Sequence, residues 1–277
     1  MDAAGNPKPA ATILTLRDGS DGVEVLMLRR NLNSDFVGGA YVFPGGGVDD
    51  DDRLTKWRER VTGLDEAAAH ARLGLASDAL SYYVAALREM FEEAGLLLAH
   101  HRGAGPLDSR DDALRARLAD HRRALNARET SMWEIVETED LVLDMSGMSY
   151  LAHWVTPVGP PRRYDTRFFV AEAPRGQVAA CDEGETIADT WVRPTDALAA
   201  HARGDLDMIF PTIKTLESLV PHTTVAAVRA FAEGQARVAT VTPRIEHRDG
   251  KAVIVTDEEE FYPKHDPTTM RGQSSKE

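Results

Sequence analysis

Apolar and polar residues alternate in two stretches near the start of the chain. Residues 10–17 (AATILTLR) and 23–30 (VEVLMLRR) carry the period-two pattern of β-strands, and the turn-forming sequence DGSDG separates them. A short apolar run, AYVF, precedes the cluster Pro44-Gly45-Gly46-Gly47. We predict that this cluster is a loop, because glycine and proline break both helices and strands.

Apolar residues then recur at helical spacing. This pattern predicts helices at 56–75 and 77–98, with charged helical segments at 108–128 and 131–139. Alternation returns at 150–156, 166–173 and 187–193, which we predict to be strands, before helices at 194–203 and 211–232. Residues beyond 236 predict a β-hairpin that turns at Asp249-Gly250, followed by a loose polar tail. The order of elements indicates a mixed α/β protein.

Composition narrows the class of protein. The 277 residues are 43% hydrophobic and 28% charged, as in ordinary globular proteins, and the net charge of −13 argues against a nucleic-acid-binding surface. The single cysteine, Cys181, cannot form an internal disulfide. We see no secretory signal and no apolar run of the roughly 20 residues that a membrane helix needs. These features predict a cytoplasmic protein without a membrane segment.

Three acidic residues of the second predicted helix fall on one side of it. Glu89, Glu92 and Glu93 stand at i, i+3 and i+4, where like charges oppose helix formation by roughly 0.2–0.5 kcal/mol per pair. Three carboxylates on one face can share a hard cation such as Mg²⁺ or Mn²⁺, which prefers oxygen ligands. A solvated charged face is the alternative, and the glycine turn upstream makes us favour the metal site.

A known family contains both the glycine turn and the acidic helix face. Its signature is G-x5-E-x7-R-E-U-x-E-E-x-G-U, with U a bulky aliphatic residue, and residues 88–96 (REMFEEAGL) match every fixed position of the second half. The chain resembles the Nudix family. It departs at Asp52, where the family has Glu, and in 35 residues, 53–87, that replace the usual seven. Such an insertion, together with HWVTPVGPPRRYDTRFF and ETIADTWVRPTDAL, resembles the branch that contains the peroxisomal acyl-coenzyme A diphosphatases.

The resemblance implies a Nudix fold, that is, a mixed β-sheet sandwiched between helices. The Nudix domain would span 1–218, with a helical insertion at 53–80 inside the signature and a C-terminal extension at 219–277. The insertion could cap a pocket with room for an acyl group or form the interface of a homodimer, and the sequence leaves both open.

The resemblance also implies roles for particular residues. Gly45 would offer its carbonyl to the metal, with Glu89, Glu92 and Glu93 as carboxylate ligands. Arg88 would orient an acidic group, with Glu92 and Asp52 as its candidate partners.

A later acidic loop, ACDEGETIADTW, offers Asp182, Glu183 and Glu185. We favour Glu185 as a further ligand or general base, because the branch has a Glu six residues before the Trp that is here Trp191. The general base stays open among Glu89, Glu93 and Glu185.

Candidate substrate-binding residues follow from the chemistry of a phosphate ligand. Gly46 would let the backbone approach the substrate closely, since glycine has no side chain. Guanidinium groups bind phosphate oxygens in bidentate fashion, although ordinary surface ion pairing is an equal alternative for each one. The candidates are Arg29, Arg30, Arg163 and Arg167.

The implied reaction is Mg²⁺- or Mn²⁺-dependent hydrolysis of a nucleoside diphosphate linked to another group. The branch points to coenzyme A or acyl-coenzyme A, cleaved to 3′,5′-ADP and a 4′-phosphopantetheine product. NADH, ADP-ribose and dinucleoside polyphosphates are alternative substrates, and a non-catalytic ligand-binding module is an alternative of another class. The expected partner is a small nucleotide, with no nucleic acid and no membrane.

Overall fold

The computed structural model describes residues 6–33, 38–107, 110–263 and 267–268. Besides two 3-10 turns at Asp51–Arg53 and Thr55–Glu59, its elements are β-strands and α-helices. In chain order they are β1 (Lys8–Gly19), β2 (Gly22–Arg30), β3 (Tyr41–Val42), β4 (Gly45–Gly47), β5 (Val61–Thr62), α1 (Glu66–Leu73), α2 (Ala79–Ala94), β6 (Ala99–His101), α3 (Asp112–Asn126), α4 (Met132–Thr138), β7 (Leu141–Asp144), β8 (Ser149–Val155), β9 (Tyr164–Glu172), β10 (Thr186–Val192), α5 (Pro194–Arg203), α6 (Phe210–Leu219), α7 (Val225–Glu233), β11 (Thr240–Val241), β12 (Arg244–Arg248), β13 (Lys251–Val255) and β14 (Glu260–Phe261).

The main sheet is mixed. Its strands follow the order β10-β2-β1-β9-β8-β11, with β3 paired to β2 and β4 paired to β1. The pairs β1–β9 and β8–β11 are parallel, and the other pairs are antiparallel. Two three-stranded sheets, β5-β7-β6 and β12-β13-β14, complete the described strands.

Each face of the main sheet is covered by helices. Successive strand residues point to opposite faces, so Ile13 of β1 joins the hydrophobic cluster of α2 while Leu14 joins that of α6 and α7. Met90 of α2 and Leu216 of α6 are fully buried in these two clusters. The predicted sandwich of a mixed sheet between helices is confirmed.

The glycine run is a strand. Gly45–Gly47 pairs antiparallel with Ala10–Thr12 of β1, so our prediction of a loop was wrong. Close backbone approach is the reason for glycine here, because a Cβ on Gly45 would lie 2.6 Å from the carbonyl oxygen of Ala11. Glycine weakens a strand but permits this contact.

Three predicted helices have different bounds in the structure. The first, at 56–75, is α-helical only as α1, which follows the second 3-10 turn, the short strand β5 and Gly63 with its positive φ of 79°. The second ends at Ala94, because Gly95 takes a left-handed conformation and its N–H bonds the carbonyl oxygen of Phe91. The third, at 211–232, is divided into α6 and α7 at Pro221.

Other elements agree with the sequence patterns. The strands β1, β2, β8, β9 and β10, the helix α5 and the hairpin that turns at Asp249-Gly250 lie where we predicted them. The short strands β6, β7 and β14 were not predicted, and β11 lies at the start of the stretch predicted as a hairpin. The start of the charged segment at 108–109 and most of the polar tail lie outside the described residues.

Residues after 219 are part of the main core. Val225 and Val228 of α7 are buried in the same cluster as Leu14, and β11 extends the main sheet by pairing with β8. The helices of the described ranges include none that is long and apolar enough to cross a membrane. The domain boundary at 218 stays a prediction.

Candidate active site

The orientation of α2 about its own axis places its charged residues next to the glycine segment. Leu87, Met90 and Phe91 are buried in the core below the helix, which fixes the direction of the residues between them. Arg88, Glu89 and Glu93 are also buried, yet they contact the segment 45–52 rather than the apolar core.

Arg88 lies at the centre of these contacts. Its Nε and Nη2 atoms donate to the two carboxylate oxygens of Asp52 at 3.0 and 2.9 Å, and Nη2 also donates to the carbonyl oxygen of Gly47 at 2.8 Å. Its Nη1 donates to Oε1 of Glu89 at 2.8 Å and to Glu92 at 3.2 Å. The structure thus brings Arg88 to both of its predicted partners, Asp52 and Glu92.

Two glycines make the close packing of the carboxylates possible. The N–H of Gly45 donates to Oε2 of Glu93 at 3.1 Å. A Cβ on Gly46 would lie 2.3 Å from Oε1 of Glu89, so no larger residue fits while that carboxylate keeps its place. The glycines of β4 therefore leave the space that the carboxylates of α2 occupy at the site.

Burial dominates the electrostatics of the cluster. It raises the pKa of Glu89 to about 8, and it raises the pKa values of Asp52 and Glu92 as well. The pKa of Glu93 is raised well above its ordinary value by burial and then by the charge of Glu89. Burial alone would lower the pKa of Arg88, but Glu89 and Asp52 raise it overall. When ionised, the four carboxylates carry more negative charge than Arg88 neutralises, which adds to burial in raising the pKa values of Glu89, Glu92 and Glu93.

A divalent cation fits this donor set. Buried carboxylates with raised pKa values gain from a nearby positive charge, and oxygen ligands suit Mg²⁺ and Mn²⁺. Within the described ranges, no three His, Cys, Asp or Glu side chains are already arranged as a metal-binding group. In this arrangement Arg88 donates hydrogen bonds to Glu89 and Glu92. The residues fit a hard cation in chemistry and burial.

A cavity of about 1270 Å³ opens at the cluster. Glu185 lies on the same cavity from the loop before β10, exposed to solvent, with its backbone held between Asn31 and Asp182. Its charge contributes to the raised pKa of Glu93, which agrees with a position near α2. The cavity is thus lined by Gly45, Gly46, Arg88, Glu89, Glu92, Glu93 and Glu185 among others.

Of the four arginines proposed for substrate, the structure brings Arg30 to the cavity. Arg29 points to the other side of β2, where its Nε donates to the carbonyl oxygen of Gly39. Arg163 donates to the carbonyl oxygens of Thr156 and Pro157. Arg167 is 4% exposed, pairs with Asp165 and lies over the ring of Tyr82. The last three are therefore not among the described cavity-lining residues.

Sequence reasoning missed much of the cavity wall. Arg128 lines it, as do apolar residues from strands and helices far apart in the chain. The apolar members carried no signal, because no local pattern connects them. They include Trp154, Met208, Phe210, Ile254 and Phe261. Arg162 and Phe168 line it as well, and the sequence marked both as candidate substrate contacts around the stretch YDTRFF.

Fold and site together define a Nudix hydrolase. A solved Nudix hydrolase from Alicyclobacillus acidocaldarius has a similar structure, with a TM-score of 0.61 and 27% sequence identity. The alignment covers 86% of this chain and 100% of that one.

The sequence gives a more particular family. Residues 66–219 match the family model of the NUDT19 Nudix domain, and the chain belongs to this family. Its relatives include the acyl-coenzyme A diphosphatase NUDT19 of Homo sapiens, 24% identical over 264 residues that cover 84% of this chain and 70% of that protein. The Gallus gallus protein of the same name is 28% identical over 212 residues, and the alignment covers 63% of this chain and 55% of that protein. The predicted family is confirmed.

Proposed function

We propose that the chain is a metal-dependent diphosphatase that hydrolyses coenzyme A or acyl-coenzyme A to 3′,5′-ADP and (acyl-)4′-phosphopantetheine. Membership of the NUDT19 family and the named activity of its relatives support this substrate. The observation that carries the proposal is the cavity, which joins the carboxylate cluster to an apolar wall and exceeds the roughly 300–1,000 Å³ of ordinary ligand pockets. A substrate with a diphosphate and a long organic arm suits both parts.

Four side chains and one backbone group would hold Mg²⁺ or Mn²⁺, namely Glu89, Glu92, Glu93, Glu185 and the carbonyl of Gly45. The bound metal would neutralise charge on the diphosphate and acidify a water. Arg88 would orient the carboxylates through its hydrogen bonds to Asp52 and the glycine segment. Arg30 would add positive charge beside the diphosphate, since it lines the cavity.

In the reaction, a water oxygen attacks one phosphorus of the diphosphate, and the bond from that phosphorus to the bridging oxygen breaks. The other phosphate leaves with the bridging oxygen. A carboxylate accepts the proton of the attacking water, and Glu89, Glu93 and Glu185 are the candidates at the cavity. Comparing the pH–rate profiles of their Gln variants would identify the one that titrates in the reaction.

A substrate panel tests the proposal. It contains coenzyme A, acetyl- and decanoyl-coenzyme A, NADH, ADP-ribose and diadenosine polyphosphates, each with Mg²⁺ and with Mn²⁺, and products are identified by mass. We expect 3′,5′-ADP from the coenzyme A substrates. Cleavage of the other dinucleotides alone would contradict the substrate and keep the chemistry. No turnover of any compound would favour a ligand-binding module.

We also propose a cytoplasmic location, which the single cysteine supports because such chains suit a reducing compartment. Cell fractionation with an antibody would test it. The homodimer stays a prediction, and sedimentation equilibrium would measure it.

A further inference from the structure

The floor of the cavity crosses four adjacent strands. Gly47 of β4 pairs with Ala10 of β1, Ala10 pairs with Thr166 of β9, and Thr166 pairs with Trp154 of β8. All four residues line the cavity. Neighbouring strands lie about 4.8 Å apart, so this row extends roughly 14 Å from the glycine segment to Trp154.

Aromatic residues form the far end of this row. The rings of Trp154 and Phe210 are 5.7 Å apart, and those of Phe210 and Phe261 are 5.1 Å apart. Ile254, which pairs with Phe261, also lines the cavity. The far end is therefore apolar, unlike the end at the carboxylates.

The C-terminal strands supply the outer wall. Ile254 lies on β13 and Phe261 on β14, where the two residues pair across the strands. Tyr262 follows directly and also lines the cavity. Among the described residues that line it, none comes from the insertion at 53–80. The extension, not the insertion, closes this part of the site.

The length of the floor matches one part of the proposed substrate. The arm of coenzyme A between its phosphate oxygen and its sulfur has about twelve bonds in line, as many as four extended residues, or about 14 Å. With the diphosphate at the glycine segment and the arm along the row of paired residues, the sulfur reaches Trp154. A group attached to the sulfur then lies against Phe210, Phe261 and Ile254.

We propose that the apolar end of the cavity, closed by β13 and β14, binds the acyl chain of an acyl-coenzyme A. This inference rests on the proposed function, because it takes the diphosphate of the same substrate to lie at the carboxylates. The acyl chain replaces water on the aromatic and aliphatic surface, so affinity increases with chain length until the wall is covered.

Binding measured without metal tests the inference directly. Titration calorimetry in EDTA gives Kd for coenzyme A and for acetyl-, hexanoyl- and decanoyl-coenzyme A, with turnover prevented. We expect the Kd of the intact protein to fall by roughly two- to fourfold for each methylene buried. A Kd that does not change with chain length would mean that the acyl group stays in solvent, and it would overturn the inference.

Two variants localise the effect. Phe261→Ala and Ile254→Ala each remove apolar surface from the wall, and we expect the Kd of decanoyl-coenzyme A to rise at least about fivefold while that of coenzyme A changes less than about twofold. Phe231→Ala is the matched control, since Phe231 lies on α7 with 37% exposure and is not among the described cavity-lining residues. Thermal melting checks that each variant folds. If one of the two wall variants does not fold, the Kd values of the other still test the inference.

The inference and the proposed function fail in different ways. Turnover of coenzyme A with equal Kd values along the series overturns the acyl site and leaves the reaction. Chain-length-dependent binding that both wall variants weaken, without release of 3′,5′-ADP, supports the acyl site and overturns the reaction. Equal losses of affinity for all ligands in both wall variants would overturn the acyl site by showing a general disturbance.

Discussion

Arg88 is a buried cation whose partners come from three parts of the chain. Its guanidinium contacts Asp52, the carbonyl oxygen of Gly47 and two glutamates of its own helix. The planar fork of arginine can donate in several directions at once, whereas a lysine ammonium is a point charge. The geometry of this group therefore holds α2 against the segment 47–52.

Replacing Arg88 tests that role. We expect Arg88→Lys to lower the free energy of unfolding by about 2–3 kcal/mol, because charge-assisted hydrogen bonds to the buried Asp52 are lost. Urea denaturation measures the change. Arg203→Lys, at an exposed ion pair with Asp205, is the control and should change stability by less than about 0.5 kcal/mol. Equal effects of the two substitutions would contradict the role of Arg88.

Glu93 differs from Arg88 in that no ion pair with it is found among the described residues. Glu93→Gln keeps an oxygen that can accept from Gly45 but removes the charge. We expect turnover to fall by about two orders of magnitude or more. We also expect saturating Mn²⁺ to raise the Tm of the unaltered protein by roughly 5–10 °C and to leave the Tm of the variant unchanged. A Glu137→Gln control, at an exposed site on α4, should keep both properties.

The absence of a side chain at Gly46 has a measurable effect. In Gly46→Ala the new methyl group meets the end of Glu89, which can move aside while the backbone stays. We expect a loss of at least about tenfold in kcat with a Tm within a few degrees of the original. Gly147→Ala is the matched control, since a Cβ there has no described neighbour within 4 Å. Normal kcat in Gly46→Ala would show that the placement of Glu89 is unimportant.

At the scale of elements, local patterns predicted most strands and helices. Where they failed, pairing with a neighbouring strand or a local backbone turn determined the structure. The sequence around Gly45 is typical of a turn, but the edge of β1 gives it hydrogen bonds and makes it a strand. The stretch 96–98 is apolar and suits a helix, yet Gly95 ends α2 before it. Residue spacing could place Glu89, Glu92 and Glu93 on one face. It could not show that Arg167 is buried against Tyr82, which depends on packing between β9 and α2.

Three strands are joined by a polar network on the face of the sheet that α2 covers. His153 of β8 contacts Oδ1 of Asp165 on β9 at 2.5 Å and Thr240 of β11 at 2.8 Å. Arg167 donates to the same oxygen of Asp165. The hydrogen bond with His153 and the charge of Arg167 lower the pKa of Asp165 below its ordinary 3.8, against the effect of burial.

This shift predicts a pH-dependent contribution to stability. Because the folded protein lowers the pKa of Asp165, the stabilisation is present above pH about 4 and is lost as the pH falls through the folded pKa. We expect Asp165→Asn to cost about 1–2 kcal/mol at pH 7, and the difference to shrink at pH 3. Urea denaturation at pH 7, 5 and 3 measures it, with the exposed Asp257→Asn as control. A difference that stays constant over this range would contradict the assignment.

At the scale of the whole molecule, the site is made from both ends of the chain. The glycine segment comes from residues 45–47, the carboxylates from α2, and the apolar wall from β8, α6 and residues beyond 240. The family signature predicted the first two, because those residues are close in sequence or fixed by the family pattern. The wall could not be predicted, since its members meet only after β8 and β14 have both taken their places.

The parallel pairing of β1 with β9 at the centre of the main sheet also determines when the sheet can form during synthesis. Lys8 of β1 pairs with Tyr164 of β9, and Leu16 pairs with Glu172. At about 5–20 residues per second, the ribosome delivers β9 roughly eight to thirty seconds after β1. During that interval one edge of an apolar strand has no native partner, and such edges bind other extended chains. The nascent protein therefore exposes an unpaired edge of β1 to other extended chains long before its catalytic cavity exists.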